Sequence, residues 1–284
     1  MVSQSRNTRF AGQNVVITGG SSGIGLATAV EFAKLGAKLF LIARDEKRLA
    51  GAAAHIVKTL GREVPIVTLS ANVADRSQIE AVIQNIGQDY GGIHTLIANA
   101  GLRQGLRFED DSLAEIEQSM NVNYWGAVYA LKVAWPYLKV AQHGHIGFVS
   151  SVAGYVGLIG YSSYAPAKFA LTGLAECIRM EAKDYGIGVT IVFPPDTDTP
   201  MLKQEREHSL AECLALSKHA SVMAPETVAT QFVSGIVNYR FEVICNLESR
   251  LARLVKAVWP WLHFTIVDGI VARARRTQAK PPTK

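Results

Sequence analysis

The sequence predicts an α/β fold built on one doubly wound parallel sheet, and three observations carry that prediction. Short apolar runs alternate with longer stretches whose apolar residues recur at helical spacing, over about 190 residues. The short runs are continuous in Val, Ile and Leu rather than alternating with polar residues, which marks strands covered on both faces. A glycine-rich turn, 18-TGGSSGIG-25, joins the first run to the first helical stretch. With no linker tract and no internal repeat, the chain reads as one domain, residues 1–248, followed by a basic, apolar tail, residues 249–284.

The strands are expected at 14-NVVIT-18, 38-KLFLIA-43, 64-VPIVTLS-70, 93-IHTLIAN-99, 145-HIGFVS-150 and 188-GVTIVF-193. Helices are expected between them at 24–36, 46–61, 76–91, 113–138 and 162–186, most of them stopping at a glycine. Beyond the last of these strands lies 193-FPPDTDTP-200, where proline ends ladder pairing. Two further helices, 203–218 and 225–240, and a short strand, 241-FEVICN-246, follow; Pro225 suits a first helical turn.

Composition narrows the class. Of 284 residues, 49% are hydrophobic and 19% charged, as in globular proteins. Cys177, Cys213 and Cys245 are widely spaced and odd in number, so a disulfide framework is not expected and a reducing compartment is. The polar start MVSQSRNTRF reads as neither a secretory signal nor an anchor. The net charge is +5, but eight Lys/Arg against one Asp lie from Ser249 onward, which leaves the body slightly acidic. Nucleic acid is therefore not an expected partner. Seven histidines, at 55, 94, 143, 145, 208, 219 and 263, show no metal-ligand spacing.

Because the glycine turn follows a strand and opens a helix, it is a Rossmann-type phosphate site. Gly19, Gly23 and Gly25 let backbone approach a pyrophosphate at the helix N-terminus, and Ser21 and Ser22 add hydroxyl donors beside Ile24. An NAD site needs an acid at the end of the second strand to hold the ribose 2′-OH. This chain has Ala43 there, then Arg44, with Arg48 one turn on. Guanidinium groups suit a 2′-phosphate, so NADPH/NADP+ is the expected cofactor. Asp45 beside them suits a helix N-cap.

Tyr164 and Lys168, in 164-YAPAK-168, fall at i and i+4 on one helix face, and Pro166 between them confines the pair to a helix start. A neighbouring ammonium favours tyrosinate, so this tyrosine is a candidate acid/base group. Ser151 ends the fifth strand thirteen residues earlier, Asn99 lies in 98-ANAG-101 after the fourth, and Asn123 sits in the helix that follows. All of these lie at or beyond carboxyl ends of strands, where open α/β sheets bind ligands.

These motifs in this order, TGxxxGIG, NAG, Ser–13–Tyr and YxxxK, resemble the short-chain dehydrogenase/reductase family over residues 12–245. The resemblance implies that Tyr164 is the general acid/base and that Lys168 lowers its pKa and binds the nicotinamide ribose. It implies that Ser151 bonds the substrate oxygen, that Asn123 holds a proton-relay water, that Asn72 contacts adenine where the family has Asp, and that Thr199 meets the carboxamide. It also implies a dimer or tetramer. Pro195 replaces the family's glycine at the end of the sixth strand. The PPDTDTP loop, with the other motifs, resembles the 3-ketodihydrosphingosine reductase branch, which implies NADPH-dependent reduction of a sphingoid 3-ketone. Asp196 or Asp198 would then meet an amino or hydroxyl group beside the ketone, unless the loop is only rigid.

Two other readings stay open: an oxidoreductase of steroids, retinoids or another lipophilic alcohol or ketone, and a non-catalytic NADP(H) sensor. In the tail, 257-AVWPWLHFTIV-267 is too short to span a bilayer. Its aromatics and flanking cations suit an interfacial segment on the cytoplasmic face of an anionic membrane, or else a contact with the body or a second subunit.

Overall fold

Asn14–Thr18 (β1) is buried at every position, as a strand covered by helices on both faces must be. In the computed structural model, which describes residues 8–278 except 104, 142, 208 and 218–220, the strand lies in the middle of a parallel sheet. The sequence readings of residues 1–7, of His208 and His219, of the helix end at 218 and of the tail beyond 278 lie outside the described residues.

Among the described residues the sheet has seven strands in the order β3-β2-β1-β4-β5-β6-β7, all neighbours parallel. They are β1, Lys38–Ala43 (β2), Ile66–Ser70 (β3), Thr95–Ala98 (β4), His145–Val149 (β5), Gly188–Phe193 (β6) and Glu242–Ile244 (β7). β3 starts two residues later than 64–70 predicts, because Pro65 has no N–H to donate and takes part only through its carbonyl, which accepts from Leu39 N–H. The order reverses between β1 and β4, and that switch point opens the ligand crevice at the strands' carboxyl ends.

Gly23–Lys34 (α1), Glu46–Leu60 (α2) and Arg76–Asp89 (α3) follow the first three strands. Asp45 and Asp75 cap α2 and α3 by accepting from Arg48 N–H at 3.0 Å and Gln78 N–H at 3.2 Å. The region expected to be one helix over 113–138 is three pieces: Leu113–Met120 (α4), a π-helical turn over Asn121–Trp125, and Gly126–Val140 (α5). Tyr164–Ala182 (α6) precedes β6. The helix expected at 203–218 is instead Pro200–Arg206 (α7) and Ala211–Ser217 (α8), while Pro225–Val237 (α9) begins on its proline as expected.

Two apolar layers close the fold. One face of the sheet packs Phe40, Ile83, Ile86, Leu131 and Phe148 with their neighbours, and the other packs Phe10, Phe32, Leu39 and Phe232. The tail forms Leu247–Val258 (α10) and Pro260–Gln278 (α11). α10 is docked by polar bonds: Arg253 holds Glu242 through two contacts of 2.7 and 2.6 Å, and Tyr155 Oη donates to Ser249 O at 3.0 Å. Its outer side exposes Leu247, Leu251, Leu254 and Val258 at helical spacing. Among the described residues no helix is long and apolar enough to cross a membrane.

Candidate active site

The glycine turn is pressed against the end of β4. Gly19 has φ +68°, and a Cβ on it would lie 2.8 Å from Ala100 Cα; a Cβ on Gly25 would lie 2.3 Å from Gly19 O. No side chain fits at either place, so the loop is held backbone to backbone. Asn99 does the holding: its Nδ2 donates to Thr18 O and to Gly19 O at 3.0 Å each. Ser22 at the N-cap of α1 makes no side-chain cap bond, which leaves the first N–H groups of that helix for an anion.

One cleft runs from this turn in two directions. Toward β2 it is lined by Ser21, Ser22, Ile24, Arg44, Arg48 and Asn72. Arg44 and Arg48 are exposed, whereas Asp45 spends its carboxylate on the cap of α2. Asn72 Oδ1 accepts from Ala74 N–H at 3.2 Å and keeps its amide beside the cleft. Toward β5 the lining is Ser151, Tyr164, Lys168 and Thr199. Thr199 caps α7 by accepting from Leu202 N–H at 3.3 Å, a bond that does not use its own O–H. The backbone cradle, the open helix terminus and the length of this cleft fit a dinucleotide, with Arg44 and Arg48 at its adenosine end and Thr199 at its redox end.

At the redox end the fold supplies the constellation expected of it. Tyr164 is the first residue of α6 and Pro166 the third, so the proline costs no helical bond. Tyr164 and Lys168 are both buried, the ammonium 5.6 Å from the phenol ring centre. Lys168 Nζ donates to Val149 O at 3.0 Å, where β5 ends. Ser151 stands just beyond, lining the cleft with Tyr164 and accepting from Ala153 N–H at 3.1 Å.

The π-helical turn turns Asn123 inward, a use to which such turns are often put. Its Nδ2 donates to Leu102 O at 2.9 Å and Ser119 O at 3.0 Å, while Oδ1 accepts from Leu102 N–H at 3.2 Å. A Cβ on Gly101 would fall 2.9 Å from Asn123 Oδ1 and 3.5 Å from Lys168 Nζ, so these two polar groups converge beside a glycine.

Two cations stand by the Tyr164 ring, Lys168 at 5.6 Å and Arg103 at 6.0 Å from its centre. Burial pushes the Tyr164 phenol above its ordinary value, and Arg103 and the Ser151 hydroxyl oppose this. Lys168 is itself pushed down to about 8 by burial.

The loop 193–200 is stiffer than its prolines alone require. Met223 N–H donates to Asp196 O and Asp198 N–H to Met223 O, both at 2.9 Å. This fixes two different fates for the two acids. Asp198 is exposed and faces Lys203 at 3.3 Å. Asp196 is nearly buried and faces Arg103 at 3.4 Å, with Arg206 at 4.0 Å. Arg103, Tyr161 and Glu205 were not among the expected site residues, and no local pattern marks them. Glu205 lies in the charge run 203-KQERE-207, which reads as a solvated helix face, yet it is buried. Among the described residues no group of three or more His, Cys, Asp or Glu is placed to hold a metal ion.

Residues 13–210 match the family model described as short chain dehydrogenase. The chain is 40% identical over 232 residues to the 3-ketodihydrosphingosine reductase of Bos taurus, covering 81% of this chain and 70% of that protein. It is 40% identical over 235 residues to the 3-dehydrosphinganine reductase of Danio rerio, covering 82% and 71%. A short chain dehydrogenase/reductase from Burkholderia phymatum, solved in complex with NAD, superposes with a TM-score of 0.76 over 88% of this chain and 95% of that one, at 24% identity.

Proposed function

The chain belongs to the short-chain dehydrogenase/reductase family, and on that premise we propose that it uses NADPH to reduce the 3-keto group of a long-chain sphingoid base, 3-ketodihydrosphingosine, in sphingolipid synthesis. It is a nicotinamide-dependent oxidoreductase acting between a ketone and an alcohol. The observation that carries the substrate reading is 40% identity to named 3-ketodihydrosphingosine and 3-dehydrosphinganine reductases over four fifths of the chain. The preference for the 2′-phosphate rests on Arg44 and Arg48 beside Ala43 and on Asp45 being engaged as a cap.

Bound in the cleft, the cofactor supplies the reducing equivalent for the carbonyl carbon. The chain's own groups do the rest. Ser151 and Tyr164 hold the carbonyl oxygen, and Tyr164 delivers its phenolic proton to that oxygen as negative charge develops on it. Burial suits this direction, because a phenol pushed above its ordinary value arrives protonated at neutral pH. Lys168, near its pKa of about 8, and Asn123 stand where a proton can be returned to Tyr164.

Oxidation of NADPH at 340 nm with 3-ketodihydrosphingosine in mixed micelles tests the reading, with NADH and Tyr164→Phe alongside. We expect turnover with NADPH that falls by about 10³-fold or more in Tyr164→Phe while NADPH binding persists. NADPH binding without turnover would remove the sphingoid substrate and turn attention to steroids and retinoids, or to a sensor without chemistry.

The same proposal places the protein as a homo-oligomer on the cytoplasmic face of a membrane. The support is the exposed stripe of α10 together with exposed Trp259, Trp261 and Phe264 in a region rich in Arg and Lys. Leu254→Glu and Trp261→Glu should each lower co-sedimentation with phosphatidylserine vesicles without changing NADPH binding. Unchanged co-sedimentation would remove the membrane reading, and a light-scattering mass of one chain would remove the oligomer.

A further inference from the structure

Arg103 follows the NAG turn after β4 and lines the cleft with its side chain only 10% exposed. Its guanidinium lies 5.2 Å from the Tyr161 ring centre and 6.0 Å from that of Tyr164, within the reach of a cation over an aromatic face. Two carboxylates anchor it: Glu205 of α7, in direct contact, and Asp196 of the loop after β6 at 3.4 Å. Tyr161 Oη donates to Glu205 at 2.6 Å, and the Tyr161 and Tyr164 rings meet edge to face at 6.0 Å. A bridge between Leu106 and Tyr161 ties the Arg103 segment to the start of α6. A cation so confined has little freedom to move away from Tyr164 when the charge on that residue changes.

We propose that Arg103 is a positioning residue for the proton-transfer step, holding a fixed positive charge beside Tyr164. In that step the Tyr164 O–H bond breaks, the proton passes to the substrate oxygen, and the electron pair stays on the phenolate, which the guanidinium stabilises. Among the described residues, the charged and titratable groups facing Tyr164 act as follows. Arg103 favours the phenolate, and Lys168, 5.6 Å from the ring on the same helix, carries charge of the same sign while it is protonated. Asp196 opposes the phenolate. Glu205 and Tyr161 act through Arg103, and Cys213 borders Tyr161 rather than Tyr164. The inference rests on the reading of Tyr164 as proton donor.

The test is the pH profile of kcat/KM for reduction, together with a tyrosinate absorbance titration from which the Tyr164→Phe signal is subtracted. Reduction needs the protonated phenol, so kcat/KM falls as pH rises through its pKa. Arg103→Met should move that fall upward by about one pH unit and lower kcat/KM at pH 7, and Arg103→Lys should restore the wild-type position. Asp196→Asn, which keeps Arg103 and removes an opposing charge, should move it downward. Opposite displacements support the proposal, because a general loosening of the site would slow both variants without moving the profile. Coincident profiles, or displacements of the same sign, would overturn it. If Arg103→Met does not fold, Arg103→Gln takes its place against Asp196→Asn, with the same upward displacement expected. If the wild type turns over no carbonyl compound, the reductase reading fails, and the absorbance titration still reports whether Asp196→Asn lowers the Tyr164 pKa.

Discussion

His145 and Lys168 sit at the two ends of one strand and show opposite solutions to the same problem. Each is a basic group buried in the protein, and burial pushes each down, His145 to about 3 and Lys168 to about 8. At the amino end of β5, His145 is neutral at pH 7 and both its ring nitrogens have partners. Thr190 Oγ1 donates to Arg240 O, so Nε2–H must donate to Thr190, at 2.9 Å, and Nδ1 faces Arg9. At the carboxyl end, Lys168 keeps its proton at pH 7, with Val149 O as its bonded acceptor and a cleft before it. Where the sheet only has to hold together, a buried base gives up its charge. Where the sheet meets a ligand, the charge is kept at a cost in stability.

The largest effect that could break this contrast comes from Lys168→Met. Its kcat/KM should fall by about 10³-fold, since the proposed ribose contact and proton return would both be lost. Its stability at pH 7 should nevertheless rise. A group whose pKa drops from 10.5 to about 8 on folding costs about 3 kcal/mol while charged, a cost present below pH 8 and relieved as pH climbs toward 10.5. Calorimetry would thus find the wild type gaining stability between those pH values and the variant not. A lower Tm for Lys168→Met at pH 7 would contradict the argument.

Arg44→Ala sharpens the contrast, because this charge at the other end of the cleft is exposed and cheap. Its kcat/KM with NADPH should fall about tenfold, that with NADH should hold, and stability should stay within about 0.5 kcal/mol. Equal losses with both cofactors would show that Arg44 does not read the 2′-phosphate.

The smallest expected effect on activity belongs to His145→Gln. His145 stays neutral in the fold but takes up a proton when unfolded, so its contribution is full above pH 6.5 and lost as pH falls toward 3. The variant should lose less stability than the wild type across that window, and its activity at pH 7.5 should stay within about twofold. Chemical denaturation at pH 7 and pH 4.5 would measure both arms, and an equal acid loss in the two proteins would contradict the assignment.

The legible part of this molecule is the part governed by neighbours in the chain. The strand bounds of β1, β2 and β6, the cap at Asp45, the helix start at Pro225 and the one that puts Tyr164 over Lys168 follow from periodicity, capping and the fixed φ of proline. The π-helical turn at Asn123 and the break between α7 and α8 were not legible, because apolar spacing is nearly the same for one helix as for two in line. The tail shows a similar limit: its sequence pointed to an interfacial stretch, and the fold adds that α10 is bolted to β7 through Arg253 and Glu242.

By itself, the sequence determined the doubly wound sheet and the glycine turn and singled out Tyr164 as the candidate proton donor, because each is written within a few consecutive residues. Only the tertiary structure decided that a second cation, Arg103, faces that tyrosine beside Lys168. Arg103 and Asp196 are 93 positions apart, and they meet because the loops after β4 and β6 emerge at the same edge of the sheet. No local rule places a charge across that distance; the crossovers of a parallel sheet do, by bringing the carboxyl ends of its strands to one side.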